Sequence, residues 1–328
     1  MNARSTFYSQ ESANRRNSLL LILVVAVVLA ALGFAIGYGA SGNLDTAYVV
    51  LLGAVFLSLL LSAGSYFSGD SLVLAASHAR QLSAEQAPQL FDVVQEMALA
   101  AGVPMPKVYV IDDTAPNAFA TGRDPQHASI AVTSGLLQKL DREELQGVLG
   151  HELSHVRNYD IRFTLLVGVL VGSIALLADF FLRFTFWGGG PRRSGNDRGG
   201  GGGGLQVILF VIAIVLAILA PIFARLVQLA VSRQREYLAD ASSVELTRNP
   251  NGLERALAKI ASDQEVLEVA NRATQHLYIV NPIKKFESRS HGLFSTHPPI
   301  GDRINRLRQL TGDPPLDTAS LRQLQGLD

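Results

Sequence analysis

The chain has 328 residues, of which 48% are hydrophobic, and its 28 basic residues balance its 28 acidic residues. This length allows one core-forming domain together with membrane segments. The even charge gives no sign of a basic surface, so nucleic acid is not expected as a partner. The lack of cysteine excludes disulfide bonds and thiolate metal sites, so any zinc ligands must be histidines and carboxylates.

Four hydrophobic segments interrupt the polar sequence. Ser18–Tyr38 and residues 47–67 each offer roughly 20 apolar residues, enough for a helix to cross about 30 Å of hydrocarbon. The first segment is longer than the core of a signal peptide, about 7–15 residues, so we predict an uncleaved anchor. Residues 163–178 and 205–224 are the other two candidates. For this second pair, a buried hairpin of a soluble fold is the alternative to membrane insertion.

These segments divide the chain into four predicted parts. Residues 1–70 hold the first two transmembrane helices, residues 161–230 form a transmembrane hairpin, and residues 71–160 and 231–328 are two halves of one polar domain. Inside the hairpin, residues 188–204 form a glycine-rich linker.

The distribution of positive charge predicts the orientation. The N-terminal tail carries Arg4, Arg15 and Arg16, whereas the loop between the first two segments has no lysine or arginine. The positive-inside rule therefore places the N-terminus in the cytoplasm, and an even number of spans places both halves of the polar domain there too. The arginines of the 188–204 linker contradict this orientation, since that linker would lie outside.

The polar parts predict a mixed α and β domain that is mostly helical. Hydrophobic periodicity and capping signals predict helices over residues 83–101, 142–158, 226–247, 251–262 and 299–311. Alternating patterns predict strands over 107–111 and 128–133, with a turn-rich connection over 117–122 between them.

An H-E-x-x-H motif lies in the predicted 142–158 helix, at His151, Glu152 and His155. Two histidines four positions apart lie on one helix face, so both can bind one metal ion while the glutamate acts as general base. Glu152 falls within the apolar stripe of its helix, where a carboxylate is costly unless it is paired. The alternative is a chance match to a short motif.

A third ligand is expected among two carboxylates four positions apart, Glu236 and Asp240. Like charges at this spacing repel each other on a bare helix. Metal binding by Glu236, with Asp240 orienting a ligand histidine, would relieve that repulsion. The alternative is a solvated helix face whose charge is offset by Arg233 and Arg235.

Together these features resemble the HtpX family of membrane-bound zinc metallopeptidases, distant relatives of the CAAX prenyl endopeptidases. The resemblance covers most of the chain, starting with the hydrophobic N-terminal pair. It continues through four motifs in order, at residues 116–122 (PNAFATG), 151–156 (HELSHV), 232–241 (SRQREYLADA) and 295–299 (STHPP). This chain departs from the family in its long glycine-rich linker.

The resemblance implies an integral membrane protein of α+β class, with about four transmembrane helices and a cytoplasmic zincin-like (gluzincin) domain. It implies one Zn²⁺ per chain, bound by His151, His155 and Glu236. Three further roles are implied: Asn117 and the strand after it would hold the substrate, His297 would steady the oxyanion, and Arg303 would have a structural role. From the sequence itself, Asn117 also suits a turn, His297 a helix start and Arg303 a surface helix.

The implied activity is zinc-dependent proteolysis of misfolded or damaged membrane proteins at the bacterial inner membrane. The expected partners are polypeptide substrates and the lipid bilayer. A catalytically silent membrane scaffold is the main alternative, and the intact motif argues against it. A transporter is a second alternative, but the hydrophobic segments carry no charged residue of the kind that transport paths use.

Overall fold

The structure is a computed structural model that describes residues 7–167, 235–263, 265, 267, 278–279 and 298–317. Most of the third predicted membrane segment, all of the fourth, the glycine-rich linker and His297 lie outside the described residues. The described residues belong to two compact units. Residues 17–66 and 166–167 belong to one, and 7–16, 67–165 and the described residues from 235 onward belong to the other.

Two long helices begin the chain, α1 (Phe7–Ser41) and α2 (Leu44–Ala76). They contain the first two predicted spans, and both are long and apolar enough to cross a membrane. Only 33% of the most apolar stretch of α1 and 17% of that of α2 are buried. Many large apolar side chains on both helices are therefore exposed, as expected of surfaces that face lipid. No further spanning helix is found among the residues that the structure describes.

Small residues bring α1 and α2 close together. A Cβ added to Gly33 would lie 2.8 Å from the Cβ of Ala54, and one added to Gly37 would lie 2.8 Å from the Cα of Ala47. Lipid gives no hydrophobic force between helices, so close backbone approach through small residues is a common means of association.

A four-stranded sheet forms part of the second unit. Its strands are β1 (Arg80–Gln81), β2 (Lys107–Ile111), β3 (Ala118–Gly122) and β4 (Ala128–Thr133), in the order β1-β2-β4-β3. The β2–β4 pair is parallel, and the β1–β2 and β3–β4 pairs are antiparallel. The predicted bounds of β2 and β4 are confirmed.

The prediction of a turn-rich connection over 117–122 is wrong, because residues 118–122 form β3. All five residues are buried, and each pairs with a residue of β4. Pairing with β4 overrides the local turn signals of Pro116, Asn117 and Gly122. Because β3 pairs with β4 only, it is an edge strand of the sheet.

Five complete helices accompany the sheet: α3 (Pro88–Ala101), α4 (Ser134–Lys139), α5 (Arg142–Arg157), α6 (Pro250–Ser262) and α7 (Ile300–Thr311). Residues 160–167 and 235–247 are also helical. The predicted helices are confirmed where they are described, except that α3 begins five residues later than predicted. The predicted residues 226–234 lie outside the description. A 3₁₀ turn at Pro125–His127 precedes β4.

Helix α5 lies at the centre of this unit and packs against α3, α6 and β3. Its start is fixed by a capping box, in which Asp141 accepts from the backbone N–H of Glu144 and Glu144 accepts from that of Asp141, both at 2.9 Å. Gly147 permits close contact with α6, because a Cβ there would lie 2.6 Å from the backbone nitrogen of Leu253. Most of the α5 surface is consequently buried, including Glu152 and His151.

Candidate active site

Three side chains converge where α5 meets the helical residues 235–247. His151 and His155 lie one turn apart on α5, and Glu236 faces them from the second helix. The two histidine Nε2 atoms are 3.2 Å apart, and each lies 3.6 Å from a carboxylate oxygen of Glu236. Their potential ligand atoms all lie within 4.8 Å of one another. Among the described residues, this is the group of histidines and acidic residues that could bind a metal ion.

The spacing of these atoms fits a zinc ion. Zinc binds imidazole nitrogen and carboxylate oxygen at about 2.0–2.2 Å in a tetrahedral arrangement, which separates two ligand atoms by about 3.3 Å. The two Nε2 atoms are 3.2 Å apart, close to this value, and each lies 3.6 Å from a different oxygen of the Glu236 carboxylate. Two imidazoles and one carboxylate are also a known ligand set of catalytic zinc, which keeps one position for water. The residues present therefore fit zinc.

A buried carboxylate and a buried arginine support His151. Its Nδ1 lies 2.9 Å from Oδ1 of Asp240. Arg303 donates to both oxygens of Asp240, from Nε at 2.9 Å and from Nη2 at 2.7 Å. The Nη1 atom of Arg303 also lies 3.7 Å from Glu236. The guanidinium is only 1% exposed, so the surface-helix interpretation of Arg303 is wrong.

His155 has the same kind of support from a residue that the sequence did not suggest. Its Nδ1 lies 2.9 Å from Oδ2 of Asp160. The other oxygen of Asp160 accepts from Nη1 of Arg235 at 3.4 Å.

Glu236 and Asp240 are 8% and 4% exposed, so the alternative of a solvated helix face is wrong. Arg235 pairs with Asp160 instead, and Arg233 lies outside the described residues.

The charges around His151 favour a cation. Burial alone would lower the pKa of its imidazole, but Asp240 and Glu236 outweigh burial and raise that pKa to about 9. Burial opposes ionisation of Asp240 as well, yet Arg303 and His151 hold its pKa below the ordinary value. A divalent ion would satisfy the same carboxylates that favour a proton on His151.

Glu152 lies beside this cluster and contacts the edge of the sheet. Its Oε2 accepts from the backbone N–H of Ala120 in β3 at 2.8 Å, and the side chain is 2% exposed. Burial raises the pKa of Glu152 above its usual range. A buried carboxylate with a raised pKa is better matched to proton transfer near neutral pH than an exposed one.

The outer edge of β3 forms one side of the site. The backbone C=O of Ala118 points away from β4 and accepts from the N–H of Ile279 at 3.0 Å. Asn117 precedes this edge, and its side-chain oxygen accepts from the N–H of Ala118 at 3.1 Å. Asn117 is buried and directly precedes the strand, outside the cluster of His151, His155 and Glu236.

A cleft opens onto these groups. It is lined by the side chains of the histidine–glutamate cluster, by Glu152 and Asp160, and by Ala120, Ile161, Thr164, Tyr278 and Ile279. The structure brings together six residues singled out from the sequence, namely His151, Glu152, His155, Glu236, Asp240 and Arg303. It adds Asp160, and His297 lies outside the described residues.

Comparisons with known proteins show the family to which the chain belongs. Residues 84–311 match the sequence family described as Peptidase family M48. A protein of Streptococcus uberis named "Protease HtpX homolog" is 46% identical over 303 residues, covering 92% of this chain and 99% of its own length. Proteins of the same name from Listeria monocytogenes and Lactobacillus helveticus are 45% and 44% identical, with the same coverage. No solved structure matches the chain.

Proposed function

Because the chain belongs to the HtpX-like members of peptidase family M48, we propose that it is a zinc-dependent endopeptidase of the membrane. The observation that carries this proposal is the position of Glu152. Its buried carboxylate lies next to the metal-binding group of His151, His155 and Glu236 and is hydrogen-bonded to an edge strand. A general base, a metal site and a strand edge are thereby combined in one cleft.

In the proposed mechanism, His151, His155 and Glu236 bind one Zn²⁺ per chain. When bound, the ion supplies Lewis-acid activation of water and of the scissile carbonyl group. Glu152 removes a proton from the attacking water and later delivers it to the leaving nitrogen. The N–H of Ala120 fixes the orientation of the Glu152 carboxylate, and Asp240 orients His151.

The substrate is proposed to bind as an extended strand along β3. The outward-facing backbone C=O groups of Ala118 and Ala120 are those that a peptide strand would use, while the N–H of Ala120 stays bonded to Glu152. A strand added to this edge would therefore run beside the general base. Asn117 supports the start of the edge through its bond to the N–H of Ala118. His297 remains a prediction as the residue that steadies the oxyanion.

The proposed location is the bacterial inner membrane, with four spans and the active site facing the cytoplasm. Helices α1 and α2 supply two candidate spans, and the arginines of the N-terminal tail support the orientation. The proposed substrates are misfolded or damaged membrane proteins. An extended, unfolded segment suits strand addition to β3, because a folded protein already pairs its own backbone.

A catalytically silent scaffold of the same fold is the alternative function. One experiment separates the two: cleavage of casein by detergent-purified protein and by its Glu152→Gln variant, with zinc measured in both. Zinc near one per chain in both proteins, with cleavage by the unmodified protein alone, would support the peptidase. Zinc in both without any cleavage would favour the scaffold, and absence of zinc from both would refute the metal site.

A further inference from the structure

The chain changes direction directly after α5, and this change brings a carboxylate to the metal cluster. In an unbroken helix, Asp160 would point about 140° away from His155, because five residues advance the helix by about 500°. Helix α5 ends at Arg157, with Asn158 as its C-cap, and Tyr159 has a left-handed backbone with φ of 59°. This break between the helices places the Asp160 carboxylate against His155 instead.

The left-handed conformation is unfavourable for a tyrosine, so neighbouring contacts must hold it. The backbone N–H of Tyr159 donates to the C=O of Val156 at 3.2 Å. The guanidinium of Arg162 lies over the Tyr159 ring, 4.9 Å from its centre. An unfavourable backbone conformation maintained next to a candidate active site suggests that the position of the following residue matters to function.

Asp160 is 4% exposed, and its contacts include a ligand histidine and an arginine. Oδ2 lies 2.9 Å from Nδ1 of His155, and Oδ1 accepts from Nη1 of Arg235 at 3.4 Å. Arg235 is itself held by the ring of Phe163, 4.6 Å below the guanidinium, and it directly precedes Glu236 in the chain. The Asp160–Arg235 ion pair therefore links His155 of α5 to the helix that carries Glu236.

The two ligand histidines are thus supported in the same way. His151 is held by Asp240, which is held by Arg303. Asp160 stands in the same relation to His155 as Asp240 does to His151, with Arg235 in the place of Arg303. In both cases the carboxylate bonds to Nδ1, which leaves Nε2 facing the cluster.

We propose that Asp160, held by Arg235, is a positioning residue that keeps Nε2 of His155 available to the metal. A carboxylate on Nδ1 fixes the ring orientation, keeps the proton on Nδ1 and makes Nε2 a stronger ligand. This inference rests on the proposed function, because it assumes that a metal ion binds the cluster. It extends that function by assigning a role to a residue outside the H-E-x-x-H motif.

The test measures zinc affinity directly, by competition with a chromogenic chelator on the full-length protein in detergent. Asp160→Ala is expected to weaken zinc binding about 10- to 100-fold, the usual effect of losing such a partner. The zinc affinity of Asp160→Asn is expected to lie between those of Asp160→Ala and the unmodified protein. The asparagine amide oxygen still accepts from Nδ1 of His155 but carries no charge. Asp92→Ala, on the exposed face of α3, is the matched control and should bind zinc as the unmodified protein does.

Two further measurements distinguish the proposed positioning role of Asp160 from a purely structural role. The thermal midpoint of each metal-free variant reports folding, and the visible spectrum of the Co²⁺-substituted variant reports ligand geometry. Wild-type zinc affinity and an unchanged Co²⁺ spectrum in Asp160→Ala, with a lower midpoint, would overturn the proposal. If Asp160→Ala does not fold, the zinc affinities of Asp160→Asn and Arg235→Met test the proposal instead. Unchanged zinc affinity in both of these variants would overturn the proposal. An unmodified protein that binds no zinc would instead refute the proposed function itself.

Discussion

The backbone N–H of Ala120 donates to Oε2 of Glu152 across 2.8 Å, so the edge strand and the candidate general base are directly connected. The bond runs between residues 32 positions apart in sequence, from β3 to α5. It orients the carboxylate towards the cleft that His151 and Glu236 also line. The position of the base is therefore set by the strand proposed to bind the substrate.

Glu152→Gln should retain zinc and lose about 10²–10⁴-fold in kcat, the usual contribution of general-base catalysis. Glutamine preserves the size of the side chain and can still accept from Ala120, but it cannot take a proton from water. Zinc content and the rate of casein cleavage are measured together, with Asp92→Asn as the surface control. Wild-type kcat in the glutamine variant would exclude Glu152 as the base.

Glu236→Ala should remove both the metal and the stability that the metal provides. A ligand at about 1,000 times its Kd stabilises the folded state by about 4 kcal/mol. A strong chelator should therefore lower the thermal midpoint of the unmodified protein. The same chelator should leave the midpoint of Glu236→Ala unchanged. Equal responses of the two proteins to the chelator would show that Glu236 is not a ligand.

Arg303→Met should destabilise the protein by about 3–5 kcal/mol, because it leaves the Asp240 carboxylate buried without its main charge partner. Arg306→Met on the same helix is the matched control. Arg306 is exposed and stacks on Tyr237, so its loss should cost no more than about 1 kcal/mol. Denaturant unfolding in detergent gives both values. Similar free energies of unfolding for the two variants would contradict the structural role of Arg303.

Gly147→Ala should destabilise the contact of α5 with α6 by about 1–3 kcal/mol, because the added methyl group would meet the rigid backbone of Leu253. Gly150→Ala is the comparison within the same helix. Its methyl group would meet the Ser243 hydroxyl at 3.0 Å, and a shift of a few tenths of an ångström would relieve this contact while keeping the bond from that hydroxyl to the C=O of Gly147. The Gly150 variant should therefore lose much less stability. The reverse order in thermal unfolding would show that α5 and α6 are not in close contact.

Local signals allowed much of this fold to be predicted. The capping box at Asp141 and the spacing of the two histidines act within one helix, so α5 and its motif could be located from the sequence. Strand β3 could not be predicted from local pattern, because its stability comes from pairing with β4. The sequence did contain a signal for Arg303. It lies on the same helix face as Ile300, Ile304 and Leu307, which indicates burial.

Asp160 could not be found in this way. Its contact with His155 depends on the left-handed backbone of Tyr159, and tyrosine gives no local indication of that conformation. Residues that share a helix face can be inferred from spacing alone. A residue that a helix break turns towards a neighbour can be identified only from the three-dimensional structure.

The bond from the N–H of Ile279 to the C=O of Ala118 has a consequence for substrate recognition. A peptide strand that reached this carbonyl would replace a hydrogen bond already made within the protein. Such an exchange contributes little net free energy, because one bond is lost for each one formed. Affinity at this point of the edge would therefore depend on how well the peptide side chains fit the cleft, so that sequence preference rather than backbone pairing would select the cleavage site.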